Sequence, residues 1–252
     1  MVIFQNTKFK IVIPSYNCPK WIGKCLKSIE EQKYKNFEVC VIDDNSIERD
    51  NAIIIKDYCL KNNWKYIINE NRKYTLYNIE NGIKELKCNN DDVILTIDGD
   101  DWLINDGVLN LLDEYYCNND IYLTYGQHIR SISKETSLFF SFMPNKDTIK
   151  IKSYRKNPWA FTQLRSFKYM LYKNINKRHF LDSLGRYFTT ACDLALMFPM
   201  VEMCGDKFKC IEEILYVYNE ENPLSDYKIN KNRQAIDDMT IRRFPIYPTI
   251  VK

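Results

Sequence analysis

Short β-rich runs alternate with helical patterns through the first half of the chain. The run "KFKIVIPSYN" (8–17) precedes a segment in which Trp21, Ile22, Cys25, Leu26 and Ile29 share one helical face, and "FEVCVIDDNS" (37–46) follows it. A helical stretch (47–62), a strand at "WKYIIN" (64–69), a helix from about Thr75 to Leu86 and the strand "DDVILTID" (91–98) continue the alternation. A helix from about Asn105 to Cys117 and a strand at "IYLTYG" (121–126) extend it. Parallel neighbours need a crossover connection, so a β-α-β-α-β-α-β order implies a mostly parallel sheet covered by helices, an α/β architecture. Ligands of such sheets sit at the carboxyl ends of the strands. Three polar clusters should therefore converge there: "PSYN" (14–17), "DDNS" (43–46) and "DGDD" (98–101).

Beyond residue 126 the alternation weakens. Residues 127–160 are polar and irregular, and "FTQLRSFKYMLYKNINKRHFL" (161–181) reads as an amphipathic helix. Its basic residues interleave with aromatics, a pattern found in nucleic-acid binders. However, Phe161, Leu164, Phe167, Met170 and Leu171 follow helical spacing, which explains the aromatics as core, and no nucleic-acid partner is expected. A further helix starts near Thr189 or Thr190 and carries "ACDLALMFPMVEMC" (191–204), whose apolar residues could extend beyond the core into a homo-oligomer interface. The tail from Asn222 is polar, and two prolines in "RRFPIYPTI" (242–250) forbid regular structure. A chain of 252 residues with 45% apolar content can fill one core, so one domain over 1–252 is expected.

Thirty-six basic against 33 acidic residues leave a net charge of +3, too small to argue for a polyanion partner. Nine cysteines, an odd number scattered without a C-x-x-C pair, support neither a zinc nor a disulfide framework; they read as small buried apolar groups in a reducing compartment. Met1 to Phe9 lack a signal pattern, and no apolar run is long enough to span a bilayer. A soluble cytoplasmic protein is the expectation, with peripheral membrane association left open.

The seven glycines are dispersed, so the chain has neither a Walker loop nor a G-x-G-x-x-G fingerprint with which to cradle phosphates. A divalent cation held by carboxylates would neutralise a diphosphate instead, since Mn²⁺ and Mg²⁺ commonly use one or two carboxylates plus phosphate oxygens. Asp98 and Asp100 supply them at a strand end, and Gly99 permits a tight turn that lets both face one point. A bare D-x-D arises by chance about once in a chain of this size, so its context carries the weight. The competing reading is an Asp-rich turn or, for Asp101, a helix cap.

With these residues placed, "IVIPSYNCPKWIGKCLKSIEEQKYKNFEVCVIDDNS" (11–46) and "ILTIDGDDWL" (94–103) resemble the nucleotide-binding half of family 2 glycosyltransferases of GT-A fold. Three ordered motifs over residues 8–103 carry the likeness. It implies a Rossmann-like, mostly parallel sheet flanked by helices, with a nucleotide-sugar half (1–126) and an acceptor half with a helical C-terminal region (127–252). It also implies a UDP-sugar donor. Pro14 and Tyr16 would border base and ribose, Asp43 or Asp44 would bond the uracil, and Asp98, Gly99 and Asp100 would form the D-x-D turn. Asp98 would then lie near the ribose and Asp100 on the metal, the pair serving Mn²⁺ or Mg²⁺.

In "NRKYTLYN" (71–78) Asn78 matches the family's pattern, but Tyr74 stands where a glycine is common and Tyr77 where an arginine is, leaving Arg72 or Lys73 to supply positive charge. In "TTACDLAL" (189–196) Cys192 replaces the usual acid and Asp193 takes the position of the catalytic base. A helix N-terminus favours an ionised carboxylate, which suits a base; the bland reading is a helix cap. Tyr218, Asn219 and Ser225 lie where family members carry a loop that closes over the donor, without the histidine that sometimes adds a metal ligand there. Arg165, Lys168 and Arg178 are candidates to meet an acceptor or the diphosphate, with solvated surface the default for each, and His128 and His179 read as ordinary hydrogen-bonded side chains.

These readings together give an inverting, metal-dependent glycosyltransferase that moves a sugar from a UDP-sugar to a hydroxyl of a glycan, protein or lipid. Two other classes share the scaffold. A nucleotidyltransferase generally has a glycine- and basic-rich loop after the first strand, which "PSYNCPKW" (14–21) lacks. A non-catalytic carbohydrate or nucleotide binder would have no use for the D-x-D pair.

Overall fold

A computed structural model describes residues 6–117, 120–133 and 141–251. The first half runs β1 (Phe9–Ser15), α1 (Pro19–Glu30), β2 (Phe37–Asp43), α2 (Arg49–Asn62), β3 (Lys65–Ile68), α3 (Tyr74–Glu85), β4 (Val93–Thr96), β5 (Trp102–Leu103), α4 (Val108–Cys117) and β6 (Leu123–Arg130). The second half adds α5 (Lys146–Ile151), β7 (Arg165–Lys168), α6 (Tyr169–Tyr172), α7 (Cys192–Cys204), β8 (Phe208–Tyr218), α8 (Asp226–Ile229) and α9 (Lys231–Arg242). Among the described residues all the strands join one sheet of order β3-β2-β1-β4-β7-β6-β8-β5. The β3, β2, β1 and β4 ladders are parallel, as the alternation predicts. Then β7 runs antiparallel between β4 and β6, β8 pairs parallel with β6, and β5 pairs antiparallel with β8.

Every residue of β1 is buried, because helices cover both faces of the sheet. Ile11 and Ile13 point to one core with Ile22, Leu26 and Ile29 of α1 and Leu109 and Leu112 of α4. Val12 points to the other, with Ile79 and Ile83 of α3 and Met200 and Val201 of α7. Pro19 opens α1, its fixed φ suiting the first turn and its missing N–H costing no helical bond there. Helix α3 lies so close to the sheet that a Cβ added at Gly82 would sit 2.5 Å from Val12 Cγ1, so this contact admits only glycine. Cys18, Cys25, Cys40, Cys59, Cys204 and Cys210 are buried within these two cores. No helix among the described residues is long and apolar enough to cross a membrane.

The predicted helix over 161–181 is not formed. Residues 165–168 are instead strand β7, inserted between β4 and β6, with Ser166 Oγ bonded to Tyr116 OH at 2.8 Å and Thr124 Oγ1 at 2.6 Å. The apolar spacing of three reflects an extended segment leading into this strand, followed by the single turn of α6. Among the described residues of 127–160, β6 continues to Arg130 and α5 follows, so that part is less irregular than expected; 134–140 lie outside the described residues. The helix expected from Thr189 or Thr190 begins at Cys192, and strand β8 and helix α9 are not anticipated by any sequence pattern.

One buried ion pair ties the C-terminal region to the sheet's second face. Arg155 donates through Nε and Nη2 to the two Glu202 oxygens at 2.6 and 2.9 Å, and through Nη1 to the Ile241 carbonyl at 2.7 Å. Glu202 also accepts from the Tyr247 N–H at 3.1 Å, and burial pushes its carboxyl above the ordinary range even beside the guanidinium. Removing one partner of such a pair leaves an uncompensated buried charge. Arg155→Met is therefore expected to destabilise the fold by about 3–5 kcal/mol in urea unfolding, and Arg155→Met combined with Glu202→Met to recover most of the loss. A single-variant loss below about 1 kcal/mol would show that the pair is peripheral to stability.

Candidate active site

A cleft of about 300 Å³ opens at the carboxyl ends of β1 and β4 and runs to the N-terminus of α7. Pro14, Tyr16, Asp44, Asn78, Asp98, Gly99, Asp100 and Asp193 all line it. Asp43 does not. Its carboxylate is buried and accepts from Asn51 Nδ2 at 2.6 Å, Ser46 Oγ at 2.6 Å and the Ser46 N–H at 3.0 Å. Asn51 passes the network on to Ser15 Oγ at 3.0 Å and the Cys18 N–H at 3.1 Å. Asp43 thus braces the tips of β1 and β2 from behind, and of the two candidates only Asp44 reaches the cleft.

Asp44 is itself a scaffold for the cleft wall. Its oxygens accept from the N–H groups of Lys73 and Tyr74 at 2.7 and 2.8 Å and from Asn69 Nδ2 at 2.9 Å. Tyr74 has φ +67°, in the left-handed region that costs a non-glycine residue about 1–2 kcal/mol. Here the sequence has a tyrosine where a glycine is common, and the carboxylate holds the strained peptide in place. The same Asn69 amide donates to Asn78 Oδ1 at 2.8 Å. Arg72 lies with its guanidinium 3.8 Å from the Tyr16 ring centre and 4.6 Å from that of Tyr74, and it lines the cleft. Lys73 turns instead toward the Tyr77 ring, 5.9 Å away.

The D-x-D turn packs against the end of β1. The Gly99 N–H donates to the Pro14 carbonyl at 3.0 Å, and a Cβ on Gly99 would lie 2.8 Å from Ser15 Cβ. Glycine is needed here for this close approach; its φ is not left-handed, so packing, and not the tight turn expected from sequence, explains the residue. Asp98 Oδ2 accepts from Gln163 Nε2 at 3.2 Å, and burial pushes its carboxyl up to about 6, with Arg165 opposing and Asp100 and Asp193 adding to the shift. Asp100 Oδ2 accepts from Asn222 Nδ2 at 2.7 Å. Asp101, 1% exposed, accepts from the Asn219 N–H at 2.7 Å, so it anchors the end of β8 and is not a helix cap.

The segment after β8 covers this turn. Tyr218, Asn222, Leu224 and Ser225 line the cleft, and Glu221 reaches Lys20 of α1 at 2.6 Å. Sequence reasoning places a closing loop here but misses Asn222, the residue that touches Asp100. Asp193, also in the lining, occupies the first turn of α7, behind Ala191 at φ +50°. Ala191 is the N-cap and no side chain caps the helix, so Asp193 is not the capping residue of the bland reading. Its Oδ2 lies 3.4 Å from Arg165 Nη1. Arg165, expected as a solvated helical residue, is on β7, where its side chain is 13% exposed and lines the cleft.

Lys168 and Arg178 stay outside the lining, the former 4.4 Å from the Tyr122 ring centre. His179 stacks on Phe244 at 4.4 Å with Nδ1 2.7 Å from Tyr247 OH, a structural position. His128 also lies outside the lining, and burial pushes it down to about 4, with Arg130 and Arg165 adding to the shift.

Among the described residues no group of three or more His, Cys, Asp or Glu side chains is arranged to enclose a metal. Asp98 and Asp100 form an open pair of oxygen donors, a set that suits a hard cation keeping its other positions for water or phosphate. Asp193 lines the same cleft, near enough to Asp98 to add to its proton affinity.

The model of glycosyl transferase family 2 matches residues 10–177. A curated relative, the glycosyltransferase GlyG of Streptococcus pneumoniae, is 22% identical over 223 residues, spanning 84% of this chain and 70% of that protein. The aligned stretch spans between 8% and 34% of the other curated relatives. S. aureus TarS, solved in complex with UDP-GlcNAc, superposes with TM-score 0.63 at 19% identity, covering 86% of this chain and 59% of that one. The mannosyltransferase PcManGT from Pyrobaculum calidifontis, solved with GDP-Man and Mn²⁺, superposes with TM-score 0.61 at 14% identity over 97% of this chain and 67% of that one. The fold is the GT-A fold, and the chain belongs to glycosyl transferase family 2.

Proposed function

We propose that this protein transfers a sugar from a uridine diphosphate donor to a hydroxyl group on a glycan, protein or lipid, with inversion at the transferred carbon. The carrying observation is that one cleft gathers the carboxylates Asp98 and Asp100 of the D-x-D turn and a third, Asp193, from the first turn of α7. The complexes of TarS with UDP-GlcNAc and of PcManGT with GDP-Man and Mn²⁺ support a nucleotide-sugar donor on this fold.

Tyr16, Pro14 and Asn78 border the nucleoside, with the Asp44-braced segment and Arg72 as the far wall. Asp98 and Asp100 would hold Mn²⁺ or Mg²⁺, which would supply charge neutralisation to the leaving diphosphate. Asp193 accepts the proton of the acceptor hydroxyl as its oxygen bonds to the anomeric carbon and the bond from that carbon to the diphosphate breaks. The products are the glycosylated acceptor and UDP. Asn222 and the segment around it shield the reacting atoms from water.

A panel of nucleotide sugars with Mn²⁺, followed by UDP release and product mass, tests the reading; binding without turnover across plausible acceptors would make the protein a binder. Asp100→Ala is expected to weaken Mn²⁺-dependent UDP binding at least tenfold in calorimetry, a loss of about 1.4 kcal/mol or more. Asp193→Asn should leave that binding within about twofold and lower transfer by roughly 10²–10⁴-fold. Normal transfer by Asp193→Asn would remove the base assigned here.

The pH dependence follows from Asp98. Its carboxyl is raised to about 6 from 3.8, so in metal-free protein its contribution to stability is full below the unfolded value and is lost as pH rises through about 6. Cation binding requires the ionised form and runs the other way. Mn²⁺ affinity is expected to fall as pH drops through about 6, and Asp98→Asn should flatten that dependence, both read by calorimetric titration.

A further inference from the structure

We propose that Arg165 is the positioning residue of this site, a fixed cation that orients the Asp193 carboxylate within the cleft. The proposal rests on the reading of Asp193 as the base.

Arg165 is held by the sheet and not by a loop. Its Cα stands opposite Thr96 in the β4–β7 ladder, two residues before Asp98, so its side chain rises beside the D-x-D turn. From there Nη1 comes within 3.4 Å of Asp193 Oδ2. Arg72 and Arg165 are the only lysine or arginine residues among the described lining, and Arg72 is stacked on Tyr16 and Tyr74 at the nucleoside end. Among the described lining, the cation beside Asp98 and Asp193 is therefore Arg165.

The geometry of the pair matters as much as its charge. In the structural pair Arg155–Glu202, the guanidinium grips both carboxylate oxygens at 2.6 and 2.9 Å and the acid is fully buried. Such a fork fixes both oxygens of the acid in place. Arg165 holds Asp193 by one nitrogen at the longer distance, and the Asp193 side chain remains 28% exposed. This attraction orients the carboxylate and leaves lone pairs for a hydroxyl proton. Without it, Asp193 would face Asp98 and Asp100 with no compensating charge, and repulsion would turn it toward solvent.

Arg165→Met and Arg165→Lys in the full chain, assayed well above pH 6 so that Asp98 is ionised with or without the arginine, with Mn²⁺ and the nucleotide sugar turned over in the panel, test the proposal. Arg165→Met is expected to lower kcat roughly 10- to 100-fold, as misplacement of a reacting group does, with donor KM and Mn²⁺–UDP affinity within about twofold of the parent. Arg165→Lys should restore part of kcat, since charge returns without the planar fork. Adding Asp193→Asn to Arg165→Met should cost nothing beyond Asp193→Asn alone. Parental kcat in Arg165→Met, a loss expressed in donor affinity, or additive losses in the double variant would each overturn it. A crystal structure of Arg165→Met supplies a readout independent of activity. The Asp193 carboxylate is expected to leave its present position, and an unmoved carboxylate would defeat the positioning role. Absence of transfer by the parent protein would instead defeat the proposed function, with the crystallographic outcome still deciding the arginine's part.

Discussion

The parallel pairing of β1 with β4 is the constraint from which the cleft follows. Its register, Phe9 with Val93 through Val12 with Thr96, brings the two strand tips to the same height. The Ile97 N–H to Val12 carbonyl bond at 3.1 Å and the Gly99 N–H to Pro14 carbonyl bond at 3.0 Å carry the ladder past the strand ends. Only a residue without a side chain fits at Gly99 against Ser15. The acids on either side of it are thereby fixed within the space that Pro14 and Tyr16 border, and a glycine cradle for phosphate becomes unnecessary.

The site is held against its own preferences. Asp98 is desolvated beside two other acids, which is why its proton affinity rises despite Arg165 and Gln163. Tyr74 and Ala191, both lining the cleft, sit in backbone conformations that L-residues avoid. Such strain persists where surrounding structure over-determines it. Asp44 does this for Tyr74 through two backbone hydrogen bonds, and the α7 packing, with every residue from Leu194 to Cys204 buried, does it for Ala191. Stability drawn from the two cores is spent locally at the mouth of the cleft.

The first half of the chain was legible because hydrophobic period and strand-end polarity point the same way there, and the D-x-D turn and Asp193 do line one cleft. What the sequence hid has physical causes. Asp43 and Asp44 are chemically identical neighbours, and only the period of two along an extended backbone decides which faces the cleft. In 161–181 an apolar spacing of three imitated a helix while long-range pairing with β4 and β6 made a strand. Strand β8 was masked by Glu212 and Glu213 and by register shifts against β6, and α9 by its polar composition. Arg165 and Asn222 carry no local signal; their importance comes from partners far away in the chain, Asp193 and Asp100.

Strand β5 has only two residues, yet it couples parts that would otherwise be independent. Trp102 and Leu103 leave the D-x-D turn and pair with Val217 and Tyr216, immediately before the segment that carries Asn219 and Asn222 onto Asp101 and Asp100. Turn, short strand and covering segment therefore form one modular cassette, closed on itself by main-chain bonds at one end and carboxylates at the other. A chimera that exchanged residues 219–225 with those of a relative would inherit the donor's chemistry only if 98–103 and 216–218 travelled with them.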